Sequence, residues 1–266
     1  MEPSSPTSLA FDPDRLDVRD PALLGRLLPL VQRFNAVYLR LTREGLEHVP
    51  RTPALFVSNH NGGMVGPDVL CTMGTLLETR GVEAPLYGLA HDFAMRQFEP
   101  LGRLAQRLGA IRACPENAAR VFALGGQALV YPGGDLEAYR HSRLRDRIVL
   151  GERLGFVRVA QRAGVPIVPI VAQGAHRSAY VFDDGAWIAR TLRLPERARV
   201  NRFPLALALP WGLALGPWLP YLPLPFRVRL RVLPALHVAS DDDPREVQET
   251  LRTQMQGALD QLARLP

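Results

Sequence analysis

The run Ser58-Asn59-His60-Asn61-Gly62-Gly63-Met64-Val65-Gly66-Pro67-Asp68 holds the side chains of this chain best suited to chemistry. Imidazole takes up and releases a proton near neutral pH. A carboxylate beside it holds its tautomer and stabilises the imidazolium. The apolar segment Ala54-Leu55-Phe56-Val57 leads into His60, glycines follow, and Asp68 opens the next helical pattern. This order predicts a general base, His60, and an orienting acid, Asp68, at a strand-to-helix turn.

The surrounding pattern supplies the elements that must position these groups. Ala54–Ser58 reads as a buried strand and Pro67–Arg80 as a helix with proline at its start. Further strands are expected at Leu86–Ala90, Ala128–Tyr131, Pro166–Val171 and Arg227–Val232, the last half-exposed by its alternation. Helices are expected over 92–108, Ala118–Leu124 and Phe156–Ala163, and after Ser240 and its three aspartates. Strands alternating with helices predict an α/β fold: a single domain with a mixed central sheet flanked by helices. Residues 1–20 are rich in Pro, Ser and Asp and are expected to be poorly ordered, leaving a domain over 21–266. Within 21–41, Leu24, Leu27, Leu28, Val31, Phe34 and Tyr38 recur at helical spacing. They predict an amphipathic helix that lies on a bilayer or packs on the core.

Composition is that of a globular protein, 47% hydrophobic and 22% charged, with a net charge of +6. All of the basic residues are arginine. The positive balance favours anionic partners such as phospholipid surfaces or phosphorylated cofactors. No basic motif with interleaved aromatics points to nucleic acid, which is not expected as a partner. Cys71 and Cys114 are too few for a disulfide framework and fit a reducing compartment. Met1–Arg15 has no basic-then-apolar pattern, so no signal peptide is expected.

Residues 203–226 carry no charge and reach the length of a membrane span. They also contain six prolines, at 204, 210, 217, 220, 223 and 225, which a straight spanning helix does not tolerate. Trp211, Trp218 and Tyr221 are residue types favoured at the water–lipid boundary. The segment is read as a hydrophobic membrane-facing flap or a buried internal connection.

Four blocks in order resemble the glycerolipid acyltransferase superfamily, which includes the lysophosphatidate acyltransferases. They are Ser58-Asn59-His60 with Asp68; Leu108–Ile111 followed by Pro115–Ala118; Val130-Tyr131-Pro132-Gly133-Gly134-Asp135-Leu136-Glu137-Ala138; and Gly164–Ile170. The Pro-Gly-Gly-x-x-Glu-Ala form of the third block is similar to the branch near diacylglycerol acyltransferases. The resemblance spans roughly 42–237. It implies an α/β fold, peripheral attachment at the cytoplasmic face of the cell membrane, and transfer of a fatty acyl group to a lipid hydroxyl. The implied donor is acyl-CoA or an acyl carrier protein, with no bound cofactor and no metal.

Two departures bear on the site. Seven residues separate His60 from Asp68 where the family has four. A glycine-rich loop could fold back and keep the contact. Otherwise Asp68 serves only the helix dipole, and Asp135 or Glu137 reaches His60 from a neighbouring strand end. The third block also lacks the family's phosphate-recognising arginine, which favours a neutral glycerolipid or long-chain alcohol over a lysophospholipid as acceptor.

Backbone N–H groups at Gly62, Gly63, Gly133 or Gly134 could form an oxyanion hole. Asn59 is expected to brace the loop, and Asp135 and Glu137 to position loop or acceptor. Arg140, with Arg143, Arg145 and Arg147, is expected to meet phosphates. His91, His141 and His176 lack metal-ligand spacing and read as structural. No Gly-x-Ser-x-Gly elbow or phosphate-binding loop is present. No residue is set up as an acylated nucleophile, so a ternary complex is expected. The reading is an O-acyltransferase; the alternative is an inactive lipid-binding or membrane-tethered protein of the same fold.

Overall fold

The computed structural model describes residues 11–61, 66–96, 99–198, 200–209, 212–216 and 225–265. Strands run β1 (Thr42–Glu44), β2 (Ala54–Ser58), β3 (Leu86–Ala90), β4 (Ala110–Arg112), β5 (Gln127–Val130), β6 (Ile167–Gln173), β7 (Tyr180–Asp183), β8 (Leu205–Ala208), β9 (Gly212–Leu215) and β10 (Arg229–Val232). Helices run α1 (Pro21–Arg33), α2 (Pro67–Arg80), α3 (Asp92–Arg96), α4 (Glu99–Arg107), α5 (Pro115–Ala123), α6 (Gly134–Ala138), α7 (Gly155–Ala163), α8 (Ala186–Thr191), α9 (Leu194–Ala198) and α10 (Pro244–Arg264). Seven strands form one sheet in the order β1-β10-β6-β2-β5-β3-β4. All neighbours are parallel except β10 and β6, so the sheet is mixed, as expected.

The alternation along β2 explains its unbroken apolar sequence. Leu55 and Val57 face a core shared with α5, α7 and α10, through Val121, Phe122, Phe156, Val157, Leu251 and Met255. Ala54 and Phe56 face the opposite core, shared with α1 and α2 through Leu24, Leu76 and Leu77. A strand covered on both faces is apolar along its run, with a polar residue only at its end, here Ser58. β6, buried along its whole length, follows the same rule.

This topology puts a switch point between β2 and β5. The chain leaves β2 through α2 on one face of the sheet. It leaves β5 through α6 and α7, with α7 on the other face. The two loops at the carboxyl ends of β2 and β5 therefore diverge, which is where open α/β sheets hold ligands. The first carries His60, and the second leads through Gly133 into α6 with Glu137.

Several expectations are corrected. The amphipathic helix ends at Arg33 and continues as a π-helical turn, Phe34–Tyr38, instead of reaching residue 41. It packs on α2 through Leu24 and Asn35 while Leu30 and Val37 face solvent. The region 92–108 forms two helices, α3 and α4. β10 is more buried than its alternation implied, because its arginines lie along a strand paired on both sides.

Residues 11–20, expected to be poorly ordered, are tied to the domain. The Asp14 carboxylate accepts from Arg112 Nε and Nη2 (2.7 and 2.5 Å) and from Asn117 Nδ2 (2.7 Å). Leu16 is buried, and its carbonyl accepts from the Tyr87 hydroxyl. Residues 1–10 lie outside the described residues.

The 203–226 segment is in part a β-hairpin. β8 and β9 pair antiparallel, and β7 adds a third strand. Leu205 opposes Leu215, Leu207 opposes Leu213, and Tyr180 opposes Leu207, so these five side chains share one face. On that face Leu207 is 50% and Leu213 67% exposed. The reading as a buried connection is thus corrected for the described part. Trp211, Trp218 and Tyr221 lie outside the described residues.

The Asp14 clamp yields a stability test. Arg112 first of all holds the Asp14 carboxyl below its usual value, so the pairing stabilises the fold above the unfolded carboxylate range and fades in acid. Asp14→Asn should lower the melting temperature by about 2–4 °C at neutral pH, corresponding to about 1 kcal/mol. The difference from wild type should shrink below about pH 4, read by calorimetry at both pH values.

Candidate active site

His60 and Asp68 meet. The imidazole Nδ1 lies 2.8 Å from Asp68 Oδ2, and because a carboxylate has no proton to give, Nδ1–H donates. Nε2 is then left with its lone pair. Asp68 is fully buried and its Oδ2 also accepts from the backbone N–H of Asn61 at 3.0 Å. Asp68 is the second residue of α2, so its charge faces the positive end of the helix as well. The two readings of Asp68 are both satisfied by one placement. Gly66 makes room for it: a Cβ there would lie 2.0 Å from Asp68 Oδ1 and 2.5 Å from the Asn61 carbonyl.

Burial alone pushes the His60 imidazole down, but the Asp68 charge and hydrogen bond outweigh it. The net position is above the ordinary imidazole value. The Tyr131 ring, at the end of β5, lies 4.8 Å from the imidazole centroid to centroid.

The loop carrying His60 is pinned from two neighbours. Toward β6, the Asn59 amide both donates to the Ala172 carbonyl (2.9 Å) and accepts from the Ala172 N–H (2.8 Å). Asn61 Nδ2 donates to the same carbonyl at 2.9 Å. Asn59 therefore braces the loop. Toward β5, the fully buried Glu137 accepts from the His60 N–H through Oε2 (2.7 Å) and from the Val149 N–H through Oε1 (2.9 Å). Burial drives the Glu137 carboxyl up to about 7, against the pull of Arg140 and these two N–H groups.

Three sequence readings are redirected. Arg140 does not present its charge to a phosphate. It is 3% exposed, and its guanidinium donates to the carbonyls of His60 (2.9 Å), Glu137 (2.6 Å), Leu144 (3.0 Å) and Arg145 (2.7 Å) and to Asn61 Oδ1 (2.6 Å). Its donors close the loop from beneath, whereas Arg143, Arg145 and Arg147 are exposed. Asp135 turns to Asn201, accepting from its N–H (2.5 Å) and side-chain amide. Gly134 N–H is already committed to the Tyr131 carbonyl at 3.0 Å and is no oxyanion donor. Gly133 is required by packing, since a Cβ would lie 2.0 Å from the Val149 carbonyl. Gly62 and Gly63 lie outside the described residues.

Sequence reasoning missed the bracing role of Arg140, whereas His176, read as structural, is buried. His176 Nε2 lies 3.0 Å from the Arg140 carbonyl, and burial drives its imidazole down to about 3, so it stays neutral. Burial, then the Asp68 charge, pushes the Cys71 thiol far up, which leaves it inert as a nucleophile. Among the described residues no cluster of His, Cys, Asp and Glu could hold a metal.

A comparison with protein families decides the assignment. The family model described as Acyltransferase matches residues 40–173, just over half of the chain. The chain belongs to the acyltransferase family. The match takes in both loops of the site, from before His60 to the end of β6. Among curated relatives, an uncharacterized protein of Mycobacterium tuberculosis (strain H37Rv) is 29% identical over 195 residues, covering 71% of this chain and 54% of that protein. A protein from Gallus gallus called DGAT1/2-independent enzyme synthesizing storage lipids is 31% identical over 161 residues, covering 60% of this chain and 46% of that one. The chain thus spans about half the length of the curated relatives it matches. The crystal structure of the 1-acyl-sn-glycerophosphate (LPA) acyltransferase PlsC from Thermotoga maritima superimposes with a TM-score of 0.57 at 13% identity, over 91% of this chain and 81% of that one. That likeness establishes the shared fold.

The His60–Asp68 contact can be tested without turnover. The imidazole of His60, followed by NMR, should titrate above the ordinary value of about 6.5. Asp68→Asn removes the charge that raises it, so the midpoint should move to lower pH. An unmoved midpoint would show that the carboxylate does not act on the ring.

Proposed function

We propose that this chain moves a fatty acyl group from an acyl-CoA thioester to the hydroxyl of a lipid acceptor. The observation that carries this reading is the His60 Nδ1–Asp68 contact at the carboxyl end of β2. It leaves Nε2 directed to receive a proton. In the reaction, His60 Nε2 takes the proton of the acceptor hydroxyl as its oxygen attacks the thioester carbonyl. The carbon–sulfur bond then breaks, and the imidazolium returns the proton to the departing thiolate. Ester and free thiol are the products. Asp68 stabilises the imidazolium while it exists. No acyl-enzyme is invoked, since the buried Cys71 thiol is held protonated.

A His–Asp spacing too long to close the contact would favour the inactive lipid-binding alternative. The His60–Asp68 contact forms despite that spacing, which supports the active reading. A neutral glycerolipid or long-chain alcohol is the preferred acceptor. The third block carries no arginine, and Arg140, two residues beyond it, spends its donors on the loop.

The reading places the enzyme on a membrane surface, where its acceptor resides. Among the described residues no helix is long and apolar enough to cross a membrane. The exposed face of Leu207, Leu213 and Leu215 on the β8–β9 hairpin offers apolar area for shallow contact.

Purified protein should consume acyl-CoA, detected as free thiol, when given vesicles with pooled glycerolipid and alcohol acceptors. His60→Ala should reduce the rate roughly 10²–10⁴-fold. Turnover that survives the substitution would remove His60 as the base. Substituting Leu207 and Leu213 together with aspartate, at positions already facing solvent, should lower the fraction sedimenting with liposomes. Unchanged sedimentation of the folded variant would exclude the hairpin from the contact.

A further inference from the structure

A cleft of about 470 Å³ opens between the start of β10 and the segment after β6. Four of its lining residues are arginines, Arg40, Arg177, Arg227 and Arg229, and none is acidic. Arg40, Arg177 and Arg227 are exposed, while Arg229 is 9% exposed. A guanidinium nitrogen of Arg229 is fixed at 3.2 Å from Gln173 Oε1. Burial, and then repulsion from Arg227 and Arg177, makes Arg229 easier to deprotonate than a free arginine. Several like charges gathered around one concavity repel one another, and an anion bound among them relieves that repulsion. Guanidinium groups match phosphate oxygens in geometry and charge.

The cleft is coupled to the His60 loop through two consecutive residues of β6. Ala172 anchors Asn59 and Asn61 on one side. Gln173 pairs with Arg229 on the other, both in the strand register and through its side chain. β2 and β10 flank β6, so the two ends are about 10 Å apart. In a glycerol phosphate the phosphate and the free hydroxyls are only a few bonds apart. In acyl-CoA, a long flexible pantetheine arm separates the thioester from its phosphates. A spacing of two strands suits the second.

We propose that Arg177, Arg227 and Arg229, with Arg40 at the rim, bind the phosphate groups of the CoA donor while its thioester reaches His60. This rests on the acyl-transfer reading, but it is measured by binding alone, so a failed turnover assay leaves the result readable.

The test is isothermal titration calorimetry of CoA against wild type, Arg177→Gln/Arg227→Gln, and Arg158→Gln. Arg158 is an exposed arginine on α7 and controls for the loss of a positive charge away from the cleft. The double variant should bind CoA at least tenfold more weakly, while Arg158→Gln should match wild type. Both variants change solvent-facing side chains and should melt within about 2 °C of wild type. Co-sedimentation with phosphatidylglycerol and phosphatidylcholine vesicles separates a headgroup from a CoA phosphate. Retained CoA affinity in the double variant overturns the proposal, as does wild type that does not bind CoA. Retained CoA affinity with lost binding to phosphatidylglycerol vesicles assigns the cleft to lipid headgroups instead.

Discussion

A buried carboxylate in contact with an imidazole is costly unless the surrounding backbone holds both in register and satisfies them. Asp68 is buried at the first turn of α2, and His60 sits eight residues earlier on a loop. Their hydrogen bond exists because that loop is fixed independently of it. Asn59 and Asn61 fasten it to the Ala172 peptide on one side. Glu137 and Arg140 fasten it to the β5 side through the His60 N–H and carbonyl. The imidazole is thereby presented at one angle, and the ring nitrogen that remains unprotonated is chosen by Asp68.

The buried Glu137–Arg140 pair belongs to this support. Its oxygens and donors go mainly to backbone groups of the His60 loop and of residues 144–149, with the ion pair itself at 3.9 Å. Such a pair adds little to stability in itself, and removing one partner leaves the other charge buried. Its contribution is geometric. This explains why an arginine at the edge of the motif faces inward.

Much of the architecture was legible because it follows from periodicity. The apolar run of β2 predicted a buried strand and Pro166–Val171 a further strand, and Pro67 marked the start of α2. His60 and Asp68 were legible as residue types, but their contact was not, because seven intervening residues leave the loop's path open. The role of Arg140 was misread for a physical reason: an arginine flanked by exposed arginines looks solvated, and only the folded loop reveals five oxygens around its guanidinium. Residues 11–20 were misread likewise. Their polarity resembles that of a disordered tail, yet Asp14 finds Arg112 and Asn117, 98 and 103 residues away. The β8–β9 hairpin was hidden by a run of apolar residues that lacks a clear period.

The central claim is that a proton reaches His60 because Asp68 prepares the ring to take it. The pH dependence of acyl transfer, kcat/KM for wild type against Asp68→Asn, addresses this most directly. The wild-type rate should rise with pH along an acid limb positioned above the ordinary imidazole value, where His60 becomes neutral. In Asp68→Asn the limb should move to lower pH and the plateau should fall. A variant profile that matches wild type in both position and height would contradict the account.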